Sequence, residues 1–180
     1  MGPKKNNGGD SDDDGGFDEK QVDFEFKIIL VGTAEVGKTS ITNRYVNDSF
    51  NPEQAHSRQV EIQYHQFEFP ETNEIARLHI WDTLGQEKFK SISQLFFKGT
   101  AGAFLVFDLS RAETFDEIPS WHENLLQTCP EGIVITLVGN KCDLPRKIEY
   151  DKAANFARDN NCNYMEVSAY SGHNIKNIFQ

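Results

Sequence analysis

Eight consecutive residues constrain this chain more than any others: Gly32-Thr33-Ala34-Glu35-Val36-Gly37-Lys38-Thr39. They fit the pattern Gly-x-x-x-x-Gly-Lys-Thr. They follow directly on an apolar, strand-like run, Phe24 to Val31, and a helix is predicted over Thr39 to Asn47. Glycines let the backbone curl so that successive N–H groups point inward at an anion. The helix adds the positive end of its dipole. Lys38 supplies a mobile charge between outer phosphates, and the Thr39 hydroxyl can ligate a magnesium ion that keeps most of its waters. Ala34, Glu35, Val36, Gly37, Lys38, Thr39 and Ser40 are therefore candidate contacts to a polyphosphate. The motif does not choose between ATP and GTP, nor between kinase, motor and switch.

The rest of the chain supports an α/β fold around that loop. Val60 to Phe69 and Ile75 to Trp81 read as strands joined by the Pro70–Glu74 turn, which makes a hairpin. Ala101 to Phe107 and Ile133 to Val138 are nearly continuous apolar runs, as in strands covered on both faces. Phe115, Ile118, Trp121 and Leu125 recur at helical spacing within Thr114 to Thr128. A helix over Asp151 to Asn160 and a short strand over Asn163 to Val167 complete the alternation. The expected architecture is a doubly wound, six-stranded, mainly parallel sheet with one antiparallel edge strand and helices on both faces. With 14 Phe and 38% apolar residues, the chain can supply one core, which falls to residues 24–180.

Charge and composition exclude several classes. The formal net charge is −10, which argues against binding along a nucleic-acid backbone. Residues 1–23 set Lys4, Lys5 and Lys20 against seven carboxylates among many glycines, so they read as a disordered acidic extension. No apolar run reaches the ~18–20 residues of a membrane span, and no secretory leader is evident. Met1-Gly2 begins a myristoylation pattern, but Asn6 stands where that pattern needs Ser or Thr. Cys129, Cys142 and Cys162 are sparse and odd in number, as expected of reduced thiols in the cytoplasm.

Two further blocks narrow the ligand. Asn140-Lys141-Cys142-Asp143 follows the strand ending at Val138, at the edge of a parallel sheet where ligands bind. A carboxylate only accepts hydrogen bonds. Asp143 would accept from the N1–H and amine of guanine but face a lone pair on adenine, which discriminates between them. Asp82-Thr83-Leu84-Gly85-Gln86 closes the third strand. Asp82 could hold a water on Mg²⁺, Gly85 could bring its N–H to a γ-phosphate, and Gln86 could orient an attacking water.

With these three blocks in order, residues 24–180 resemble the Ras-like small GTPases, a branch of the P-loop NTPases, and most closely the Rab proteins. The Rab-like detail is Ile80-Trp81-Asp82-Thr83-x-Gly85-Gln86-Glu87-x-Phe89, then Phe96-Phe97-Lys98-Gly99, then Phe107-Asp108. The resemblance implies a guanine-nucleotide switch that hydrolyses GTP slowly, with GTP or GDP and Mg²⁺ as ligands and a role in vesicle trafficking. It implies catalytic roles for Gln86 and Lys38, and Thr39, Ser57 and Asp82 around the metal. It places Phe50 and Lys141 against the base, Ala169 N–H at the guanine carbonyl, Ser168 as a brace for Asp143, and Tyr170 beside them. Exchange factors, GTPase-activating proteins and effectors would read residues 49–59 and 83–93, with Ile62, Trp81 and Phe96 at the positions of three effector-binding aromatics. A guanine-binding module with little hydrolysis is the alternative.

Several residues depart from the family pattern. Glu35 stands where the family has Gly or a small neutral residue, and a carboxylate there repels phosphate, so weaker nucleotide retention is expected. Ser57-Arg58-Gln59 replaces Thr-Ile-Gly, Leu84 replaces Ala, and Tyr170 replaces Lys. Asn174 to Gln180 reads as the opening of a final helix, with no C-terminal prenylation cysteine in view. The expected location is the cytoplasm, or the cytosolic face of endomembranes where a lipid anchor is present.

Overall fold

The computed structural model describes residues 22–52, 61–82 and 97–180. In chain order these form β1 (Phe24–Val31), α1 (Lys38–Asn47), β2 (Glu61–Glu68), β3 (Ile75–Asp82), β4 (Thr100–Asp108), α2 (Ala112–Asp116), α3 (Ile118–Thr128), β5 (Val134–Asn140), α4 (Tyr150–Asp159) and β6 (Asn163–Glu166). The six strands make one sheet in the order β2-β3-β1-β4-β5-β6. Among the described residues only the β2–β3 pair is antiparallel, with Ile62 opposite Trp81 and Tyr64 opposite His79. The other pairings are parallel. This is the expected mixed sheet of a P-loop fold, with the antiparallel strand at one edge.

Burial explains the sequence patterns. In β4 and β5 almost every residue is buried, because both faces of the central sheet are covered. In the edge strand β2 half-buried and exposed residues alternate, as one side faces water. On one face Ile29, Leu105 and Phe107 pack against Phe115, Ile118, Leu125 and Ala157 of α2, α3 and α4. On the other, Leu30, Ile80 and Val106 pack against Ile41 of α1 and against Ile175 and Ile178. Each fully buried Leu or Ile contributes roughly 1.5–3 kcal/mol relative to exposure.

Two expected elements differ. The single helix over 114–128 is two pieces that meet at Glu117, with Pro119 in the first turn of the second. Proline has no N–H to donate to the Phe115 carbonyl, and its ring crowds that carbonyl. The opening of a final α-helix over 174–180 is instead a turn followed by a 3₁₀ segment, Asn177–Phe179. Asn174, at φ 56°, opens this segment, and its carbonyl accepts from the Ile178 N–H at 3.3 Å. Among the described residues no helix is long and apolar enough to cross a membrane.

Candidate functional site

Parallel strands deliver their carboxyl ends to one edge of the sheet, and each ends in chemistry. β1 runs into Gly32, β3 ends at Asp82, β4 at Asp108, β5 at Asn140, and Ser168 follows β6. All four of these polar side chains are buried at 1% exposure or less.

At the first of these ends the chain turns sharply. A Cβ on Gly32 would lie 2.1 Å from the Val106 carbonyl oxygen, so only glycine lets the loop pass β4 this closely. Gly37, at φ 96°, caps α1, and a Cβ there would meet the Asn140 amide nitrogen at 2.3 Å. No side chain caps α1, and its first turn carries no acidic residue. Its N-terminal N–H groups therefore face the loop, which suits an anion. Lys38 is 5% exposed. Its Nζ donates to the Gly32 carbonyl at 3.0 Å and the Thr33 carbonyl at 2.8 Å, so it arches over the loop. Burial pulls its pKa down to about 8, against the attraction of Asp82.

The Thr39 hydroxyl donates to Asp82 Oδ2. Burial raises the Asp82 pKa to about 6, opposed by the Thr39 bond and by Lys38. Asp82 Oδ1 and the Thr33 hydroxyl are buried without a hydrogen-bond partner among the described residues. An orphaned carboxylate oxygen beside a hydroxyl fits a hydrated divalent cation. Among the described residues no three His, Cys, Asp or Glu cluster where they could hold a metal ion.

The opposite end closes on itself. The Asn140 amide donates to the Val36 carbonyl at 2.8 Å and accepts from Ala169 N–H at 3.2 Å. The Ser168 hydroxyl donates to Asp143 Oδ1 at 2.5 Å and accepts from Ser171 N–H at 3.0 Å. Asp143 itself is exposed at the rim. Ala169 N–H, expected at a guanine carbonyl, is turned to Asn140 here. Lys141, at φ 64°, reaches across the site: its Nζ donates to the Glu35 carbonyl at 2.9 Å and pairs with Asp108 Oδ2 at 2.6 Å. Burial pushes the Asp108 carboxyl up, but bonds from Lys141 and Ser110 outweigh it and hold its pKa below the ordinary value. The Phe50 and Tyr170 rings meet edge-on at 5.5 Å, with Tyr170 largely exposed.

Three expected site residues, Ser57, Gly85 and Gln86, lie outside the described residues, as do Arg58, Leu84 and Phe96. Ser40 sits in the first turn of α1. Trp81 packs against the core on the α3 side, with Lys27 Nζ 3.9 Å over its ring and Ile62 exposed beside it. Residues that motif matching passed over include Arg44, whose guanidinium donates to the Ala169 and Tyr170 carbonyls, both at 2.9 Å. Arg111 is another, and Asp108, noted only within the Phe107-Asp108 resemblance, is given no place in the site by it. Arg111 donates to Glu35 Oε2 at 3.2 Å and to the Ala34 carbonyl at 3.1 Å. It lies 76 residues from Glu35 in the chain, so no local pattern could have signalled the pair.

Comparison with known proteins agrees with this geometry. Residues 27–180 match the model of the Ras family. The chain is 35% identical over 169 residues to Ras-related protein RABA4a of Arabidopsis thaliana, covering 92% of this chain and 74% of the relative. It is 34% identical over 161 residues to Ras-related protein Rab11A of Lotus japonicus, covering 88% and 70%. It is 32% identical over 159 residues to Ras-related protein Rab-4A of Danio rerio, covering 87% and 74%. The loop, the strand ends and these likenesses together place the chain in the Ras family, as a small GTPase of the Rab type.

Proposed function

We propose that residues 24–180 form a guanine-nucleotide switch domain that binds GTP with Mg²⁺ and hydrolyses it slowly. The uncapped start of α1 under a buried Lys38, with unpaired oxygens at Asp82 and Thr33 beside it, carries this reading. A cavity edge that leaves charged and polar groups unmet is one built to be completed by a ligand. Backbone amides of Ala34 to Thr39 and the Lys38 ammonium would hold the phosphates, with Ser40 behind them. Thr39, Asp82 and Ser57 would hold the metal, directly or through water. Bound there, Mg²⁺ offsets the charge that develops on the phosphoryl oxygens.

Asp143 would check the base by accepting from guanine, while Lys141, Phe50, Ser168, Ala169 and Tyr170 frame it. Gln86 would orient the attacking water, and Gly85 would sense the γ-phosphate. Loss of that phosphate would relax residues 49–59 and 83–93, which exchange factors, GTPase-activating proteins and effectors would read. As in the Rab family generally, the setting is membrane trafficking on cytosolic surfaces.

The test is to identify by mass the nucleotide that copurifies with the protein, then to follow single-turnover hydrolysis. GDP or GTP in the preparation and a slow rate abolished by Gln86→Leu are expected. Guanine nucleotide bound with no rate above buffer would instead make the chain a binding module. An empty protein without preference for GTP over ATP would overturn both.

A further inference from the structure

Glu35 is out of place twice over. It puts a carboxylate on the loop that would hold phosphates, and it sits at φ 67°, the left-handed region that favours glycine. Neither feature helps the loop by itself, yet the side chain is not loose. Its carboxylate meets Arg111 Nη1 at 3.2 Å, while Nη2 of the same guanidinium donates to the Ala34 carbonyl at 3.1 Å. Arg111 stands just before α2, and its Nε lies 3.4 Å from Asp108 Oδ2. Asp108 in turn pairs with Lys141, whose ammonium donates to the Glu35 carbonyl. Glu35, Arg111, Asp108 and Lys141 thus form a chain of alternating charge from the phosphate loop to the base corner. The planar guanidinium grips the loop by side chain and backbone at once, which a lysine could not do in the same geometry.

We propose that Arg111 and Glu35 form an ionic clasp that sets how long the loop keeps its nucleotide, with Arg111 acting as a positioning residue. Resting on the phosphate-cradle reading above, it revises the expectation of a loose loop. With the clasp closed, Arg111 neutralises Glu35 and ties Ala34 and Glu35 to the end of β4. With it open, Glu35 presents unscreened negative charge to the phosphates. The acidic residue is tolerated because of its partner, and release becomes sensitive to anything that competes for Arg111.

The experiment follows release of a fluorescent GDP analogue from the full chain after a chase with excess GDP. Wild type, Arg111→Ala, Arg111→Lys, Glu35→Gly and the Glu35→Gly/Arg111→Ala double variant are compared. Both side chains are partly exposed, so the expected effect is moderate: Arg111→Ala accelerates release by about two- to five-fold. Arg111→Lys, which keeps the charge, recovers part of the loss. In the Glu35→Gly background, where Arg111 keeps only its Ala34 and Asp108 contacts, removing it accelerates release clearly less than it does in wild type. Raising salt shrinks the difference between wild type and Arg111→Ala. Equal acceleration with and without Glu35, or no acceleration at all, overturns the clasp while leaving nucleotide binding intact. A wild-type protein that never retains the GDP analogue overturns the phosphate-cradle reading, and the clasp with it.

Discussion

The two ends of the site are built on opposite principles. At the phosphate end, Lys38 is desolvated and held by the Gly32 and Thr33 carbonyls, while Asp82 Oδ1 and the Thr33 hydroxyl are buried with no hydrogen-bond partner among the described residues. At the base end the groups satisfy one another. Asn140 joins Val36 to Ala169, and Ser168 joins Asp143 to Ser171. The first end spends folding stability to be ready for a ligand. The second holds three distant segments in register whether or not a ligand is present. Mutations should therefore separate cleanly, striking binding at one end and folding at the other.

The largest effect is expected at Lys38. Lys38→Ala removes a buried cation aimed at phosphate, and GTP affinity falls by about 100-fold or more, as for other preorganised charge contacts. The unfolding free energy of the nucleotide-free protein shifts by less than about 1 kcal/mol, because the cost of burying the ammonium offsets its bonds to the Gly32 and Thr33 carbonyls. Titration with a fluorescent GTP analogue and urea melts measure the two quantities. A loss of stability that matches the loss of affinity would break the contrast.

Asn140→Ala should do the reverse. It strands the Val36 carbonyl and the Ala169 N–H inside the protein, at roughly 1–3 kcal/mol for a buried group left unmet. We expect the nucleotide-free protein to lose about 2 kcal/mol in urea melts. A loss under about 0.5 kcal/mol would show that the base corner is not self-supporting.

Asp108 sharpens the comparison because it belongs to the bridge between the ends. Its carboxyl is held below the ordinary value of 3.8, so its stabilising effect is complete above that pH and is lost as pH falls through its folded-state value. Asp108→Asn should cost about 1 kcal/mol near neutral pH, and the gap between variant and wild type should close in acid. Urea melts across pH measure it. A gap that stays constant in acid would mean the carboxylate charge is not what holds Lys141.

Much of the fold was legible beforehand. Continuous apolar runs announced β4 and β5, and the Pro70–Glu74 turn announced the β2–β3 hairpin, because each signal is local. The strand ends were read short: β4 continues to Asp108 and β5 to Asn140. Polar residues there look like loop in a sequence, yet neighbouring strands still hydrogen-bond them, with Asp108 in register with Asn140. The break in the helix at Glu117 could have been foreseen from Pro119.

For the site, the amino-acid order alone marked the phosphate loop, since glycine, lysine and threonine at close spacing carry their chemistry wherever the backbone curls. It also marked Asp143, within Asn140-Lys141-Cys142-Asp143, as a carboxylate suited to reading a base, whereas Ser168 entered only through the family resemblance. Who holds whom was decided by the folded chain. Arg111 answers Glu35 across 76 positions and Asn140 answers Val36 across 104, because parallel strands bring their ends together regardless of the distance between them in the chain. A charge that looked like a defect in the loop has a partner only once β4 lies beside β1.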